Sequence, residues 1–144
     1  MKISVNNNCK EEKNISVKSV ESVARQVVEE LQNSGEISNN ANVEISIALV
    51  DESRIAELNQ QYRQHNGPTD VLSFSYENNE IVLEGELILC PVVIKKNALE
   101  DEIEFREELS KNIIHGILHI IGYEHGEKMF SLQNNILNKN KNEY

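Results

Sequence analysis

The chain has 144 residues, 39% apolar and 26% charged, with no tryptophan. That length accommodates one compact domain whose core needs no disulfide staples, and the scarcity of aromatics makes that core mostly aliphatic. A formal net charge of −10, from 14 basic and 24 acidic side chains, argues against bulk, sequence-independent nucleic-acid binding and against a membrane-surface role, while leaving room for a local basic groove.

Cys9 and Cys90 fit no metal or redox spacing and read as free thiols of a reducing compartment. The N-terminal stretch lacks the apolar segment of a secretory signal, and no apolar run approaches the ~18 residues of a membrane span. The expectation is a cytoplasmic protein.

A short strand at Ile3–Val5 opens the chain, followed by a polar, turn-rich stretch from Asn6 to Asn14. Ile15 to Leu31 carries Val17, Val20, Val23, Ala24, Val27, Val28 and Leu31 as one helical stripe, with Ser16 or Ser19 as cap and Gly35 as stop. Val43–Val50 alternates apolar and polar residues before becoming fully apolar, as a half-buried strand inside a sheet does. Asp51 can N-cap a helix running to about Tyr62, with Ile55, Leu58 and Tyr62 facing inward. The loop His65-Asn66-Gly67-Pro68 breaks that helix.

Val71–Tyr76 and Ile81–Cys90 read as two strands of an antiparallel hairpin, with a turn at Asn78-Asn79. Gly85 inside the second suggests a bulge or a close backbone approach. Pro91 fits the first turn of a helix through about Leu99. A long helix spans about Ile103 to Ile121 and stops at Gly122; a last helix covers about Glu127 to Asn140, and the polar tail frays. The order β-α-β-α-β-β-α-α-α describes a small mixed sheet covered by helices, an α+β domain occupying residues 1–144.

Three of the four histidines fall within the segment from His115 to His125. His115 and His119 are four residues apart, so one helix presents both imidazoles on the same face. Gly122 lets the chain turn sharply, and His125 can swing back toward them. Three neutral imidazoles with an open fourth position make a catalytic zinc site, whereas structural zinc is fully enclosed by protein ligands. The spacing matches the zinc-binding stretch of metzincin proteases, but the glutamate base that follows their first histidine is replaced here by Gly116. Glu124 lies past the helix end and is a poor substitute.

Arg63 sits where a helix gives way to a loop, free to project toward phosphate or toward charge developing in a transition state. Thr69 and Asp70, after the Gly67-Pro68 corner, suit local backbone hydrogen bonding. Lys95, Lys96, Arg106 and Lys111 are the local basic candidates and read mostly as solvated charges.

Three blocks together resemble the YbeY family of bacterial endoribonucleases. They are Leu58-Asn59 with Tyr62-Arg63, then Pro68 through Phe74, then His115-Gly116, Leu118-His119, Gly122-Tyr123 and His125. The resemblance implies a single α+β domain with a mixed four-stranded sheet and a zincin-like metal helix. It implies one zinc ion held by His115, His119 and His125, an RNA-directed role for Arg63, and work on ribosomal RNA, especially at the small-subunit 3′ end, and in ribosome quality control. The family usually has Lys-Asp at His65-Asn66, Gly-Asp at Gly85-Glu86 and Tyr-Asp-His at Tyr123-Glu124-His125. His65 is then a candidate RNA contact, and Glu86 a candidate catalytic carboxylate lining the metal cleft. Two rival functions are a metallohydrolase of another substrate class and a non-catalytic zinc-containing ribosome-assembly factor, with ribosome-associated proteins as partners.

Overall fold

Strand β2 (Asn42–Leu49) runs along the middle of the sheet because its alternating apolar residues, Val43, Ile45, Ile47 and Leu49, are all buried. In the computed structural model, which describes residues 1–141, it pairs in parallel with β1 (Lys2–Asn7) on one side and with β4 (Val82–Leu89) on the other. β3 (Val71–Asn78) pairs antiparallel with β4, so the order is β1-β2-β4-β3 and β3 is an edge. The sheet is mixed and four-stranded and the architecture is α+β, as expected. Element ends differ from the expected ones by a residue or two. The last helix persists to Lys141, and the end of the expected fraying tail, 142–144, lies outside the described residues.

Three helices, α1 (Val17–Asn33), α4 (Phe105–Ile120) and α5 (Glu127–Lys141), contribute to the larger core with one face of the sheet. Ser16 caps α1 by accepting the Ser19 N–H at 3.1 Å. A smaller core on the opposite face joins Ile55 of α2 (Glu52–Arg63) to Leu72, Ile88 and Cys90 at the start of α3 (Pro91–Glu100). Both cysteines are buried free thiols.

Two inward or capping assignments are corrected. Asp51 occupies the N-cap of α2 but makes no side-chain cap bond; its carboxylate accepts the Lys10 and Glu11 N–H groups instead. Glu11, 41 residues before Glu52 in sequence, caps the helix by accepting the Glu52 N–H at 2.9 Å. Tyr62 does not face inward. It is 55% exposed: the small core under α2 gathers around Ile55 and Leu58, and the Tyr62 ring meets Phe74 of β3 edge-on outside it.

Gly85 is a close approach. A Cβ there would stand 2.7 Å from Ile120 of α4 and 2.9 Å from the Phe74 carbonyl. The irregularity opposite it falls in β3, where the register shifts between Ser75 and Glu77. Gly116 is closer still: its Cβ would stand 2.5 Å from Leu87. The two glycines let α4 lie directly on β4, which fixes the height of the histidines over the sheet.

Candidate metal centre

The end of α4 is built as a Schellman turn. The Tyr123 N–H bonds to Leu118 O and the Gly122 N–H to His119 O, both at 3.0 Å, with Gly122 at φ +101. Further orphan carbonyls are satisfied from β3: the Ser75 hydroxyl donates to Ile120 O at 3.0 Å and the Asn78 amide to Ile121 O at 3.1 Å. The histidine-bearing helix is thereby tied along the edge strand.

His115 and His119 are half-buried and His125 is exposed. Their rings gather with centroids 4.6 to 5.0 Å apart, and one ring nitrogen from each lies within 4.8 Å of the others. His119 Nδ1 lies 2.9 Å from the Tyr123 carbonyl, which only accepts, so Nδ1 carries the proton. His115 Nδ1 lies 3.0 Å from Gln133 Oε1 on α5, and the same tautomer follows. Both Nε2 lone pairs are then bare, and they face each other at 3.1 Å. Two lone pairs at that distance repel unless a cation stands between them, and tetrahedral nitrogen ligands at ~2.05 Å from an ion sit ~3.3 Å apart. The donor set therefore fits a metal ion. Burial is the main force holding the His115 and His119 pKa values below the usual imidazole range, which keeps both rings neutral as ligands must be.

Gln133, only 3% exposed, was not foreseen. Its signal was present: a polar residue in the buried stripe of Met129, Ile136 and Leu137.

Arg63 ends α2 and, with His119, lines one cleft of about 400 Å³ together with Tyr62, Ser73, Phe74 and Ser75. The cleft wraps around the free edge of β3. Asn59 supports it from below, its buried amide donating to Gly67 O at 3.0 Å and closing the loop after the helix. Asp70 accepts the Val71 N–H and the Thr69 hydroxyl, the local role expected of that pair. His65 is exposed on the same loop. Lys95 and Lys96 are ion-paired with Glu12 and Glu52.

Glu86 is not brought to the histidines. Gly85 and Leu87 face α4, so strand alternation turns Glu86 to the opposite face, where it pairs in register with Phe74. Its carboxylate accepts the Tyr76 hydroxyl at 2.8 Å.

Fold and site together define a small α+β domain with a three-histidine cluster fit for a metal, opening on an arginine-lined cleft. The family model described as Endoribonuclease YbeY matches residues 5–141. The chain belongs to the YbeY family.

Similar proteins include three described as Endoribonuclease YbeY. The one from Thermotoga petrophila is 45% identical over 83 residues, 58% of this chain and 54% of that protein. The aligned part thus spans about half of that relative. The Borreliella burgdorferi protein is 42% identical over 115 residues, covering 68% of this chain and 74% of its own, and the Persephonella marina protein 37% over 135 residues, covering 87% and 84%. A solution structure from Thermotoga maritima superposes with a TM-score of 0.65 at 32% identity, covering 99% of this chain and 89% of that one. Among the described residues no helix is long and apolar enough to cross a membrane.

Proposed function

We propose that the protein is a zinc-dependent, single-strand-specific endoribonuclease acting in ribosomal RNA maturation, at the small-subunit 3′ end, and in ribosome quality control. The observation that carries this reading is the cleft shared by Arg63 and His119, which sets a guanidinium and a metal-competent cluster on the same substrate. His115, His119 and His125 would hold one zinc ion, which when bound supplies Lewis acidity and a water of pKa near ~7. Family membership and the printed names of the relatives support RNA as substrate. The partners are ribosomal RNA of the small subunit and ribosome-associated proteins, and the compartment is the cytoplasm.

The chain's own residues divide the work. Arg63, exposed at the end of α2, binds a phosphate bidentately and steadies the charge that builds on it during cleavage. His65, two residues on, extends the RNA contact along the loop that Asn59 holds. Gln133 and the Tyr123 carbonyl fix the imidazole tautomers. A glutamate base of the protease kind has no room at Gly116, where even a methyl group meets Leu87. Glu86, on the far face of the sheet, takes no catalytic step in this reading.

The test is cleavage of a ribosomal RNA precursor by metal-loaded wild type and Arg63→Ala, with elemental analysis of wild type and His119→Ala. Specific cleavage that falls at least about a hundredfold in Arg63→Ala is expected, with one zinc in the wild type and little in His119→Ala. Zinc-loaded protein that never cuts RNA, although its loss disturbs ribosomes, would make it an assembly factor.

A further inference from the structure

Two aromatic rings, Tyr62 and Phe74, line the cleft and a third, Tyr76, follows along β3, in a chain that has only four tyrosines and three phenylalanines. Tyr62 and Tyr76 are 55% and 61% exposed. Phe74 lies between them in the fold: it meets Tyr62 edge-on with ring centroids 5.3 Å apart at 76°, and it sits two residues before Tyr76 on β3. An exposed aromatic ring on a strand or helix end has an ordinary explanation when it is isolated. Here Tyr62 and Phe74 touch, Tyr76 is close enough to Tyr62 to interact electrostatically, and the group adjoins a cation, since Tyr62 and Arg63 are consecutive and line the same cleft.

The charge on the two sides of the edge strand differs. Arg63 borders the cleft. The outer face of β4 carries Glu84 and Glu86, both of which act electrostatically on Tyr76. Glu86 also accepts the Tyr76 hydroxyl, and this pairing pushes the phenol pKa up to about 12, so the ring stays neutral. A phosphate is attracted to the first side and repelled from the second. A nucleobase is uncharged, stacks on a π-face, and offers amino and imino N–H groups to a carboxylate.

We infer that Tyr62, Phe74 and Tyr76 form a stacking platform for an unpaired nucleobase, with Glu86 facing the base edge and Arg63 holding the adjoining phosphate. This deepens the endoribonuclease reading and rests on it. The polarity of the bound strand across the sheet edge follows: backbone toward the histidines, bases toward the outer face. A base locked in a duplex has both faces stacked and cannot lie on such a platform, which gives the preference for single strands a structural source. The edge-to-face contact with Phe74 holds the Tyr62 ring before RNA arrives, so little rotamer freedom is lost on binding.

The experiment uses metal-loaded protein and a 2′-O-methyl RNA decamer, which binds without being cut through its 2′ oxygen. Affinity is measured by fluorescence anisotropy, and a single 2-aminopurine is moved through the decamer to report stacking. Tyr62→Ala is expected to weaken binding about tenfold, while Tyr62→Phe stays within about twofold. Quenching of 2-aminopurine at one or two positions is expected in wild type and Tyr62→Phe and lost in Tyr62→Ala. Cleavage of an unmodified RNA by the same wild-type preparation is measured in parallel. If wild type cuts RNA but Tyr62→Ala binds and quenches as wild type does, the platform is wrong and the nuclease reading stands. If wild type neither cuts nor binds RNA, both fall.

Discussion

Replacing Gln133 by leucine isolates the contact through which α5 holds the histidine cluster. The side chain is 3% exposed and its Oε1 lies 3.0 Å from His115 Nδ1. Leucine fills most of the same volume but accepts nothing. The Nδ1–H left without a partner costs about 1–3 kcal/mol of stability. The ring is also free to move its proton to Nε2, the atom that faces His119 at 3.1 Å and that a metal needs bare. Loss of such an orienting partner typically lowers metal affinity 10- to 100-fold, or about 1.4–2.7 kcal/mol. Competition for zinc against a chromophoric chelator at pH 7 reads the affinity, and urea unfolding in chelator reads the stability. Gln133→Glu supplies the control, because a carboxylate accepts the same N–H more strongly and should retain binding. A Gln133→Leu protein with zinc affinity within about twofold of wild type and unchanged metal-free stability would refute the tautomer argument.

Gly116→Ala should destabilise the protein by about 1–3 kcal/mol, because the new methyl meets the fully buried Leu87 side chain at 2.5 Å and must displace it or the helix; a wild-type urea midpoint would show that Leu87 or α4 shifts without cost. Glu108→Gln should act the other way. Burial raises the Glu108 pKa, and its Oε2 has no hydrogen-bond partner. Below the ordinary carboxyl pKa the group is protonated in both folded and unfolded chains and costs nothing. As pH rises through the raised folded value, the unfolded chain ionises more readily and wild type loses stability. Glu108→Gln should therefore have the higher melting temperature at pH 7, with the advantage shrinking toward pH 4. An advantage that persists unchanged at pH 4 would point to packing and not charge.

The histidine cluster was legible because its information is local. A four-residue helical spacing, a glycine stop and a third histidine just beyond need no knowledge of the rest of the fold. Gly116, read from sequence only as the absence of a protease base, has a positive reason in the packing of α4 on Leu87. What sequence could not supply was the sheet order. Once β4 lies between β2 and β3, β3 becomes the edge, and Arg63 and His119 line one cleft beside it; the strand phase that turns Gly85 and Leu87 toward α4 turns Glu86 away. The expected inward placement of Tyr62 differs because helical spacing marks a face but not how far the core beneath it extends, and here the small core stops at Ile55 and Leu58. The cap on α2 was missed because Glu11 supplies it from a loop 41 residues earlier.

An open edge strand is also a hazard. The outer edge of β3 leaves backbone donors and acceptors unpaired along the cleft, and another copy of this strand could add to it. In the proposed reading RNA enters at this sheet edge, so the edge cannot be protected by covering it. This chain blunts it by other means: the register shift at Ser75/Glu77 kinks the strand, and Glu77 and the excess of 24 acidic over 14 basic side chains repel a second copy. The acidity that argues against bulk nucleic-acid binding thus also works against edge-to-edge pairing of two copies, while Arg63 at the cleft leaves one local point of positive charge.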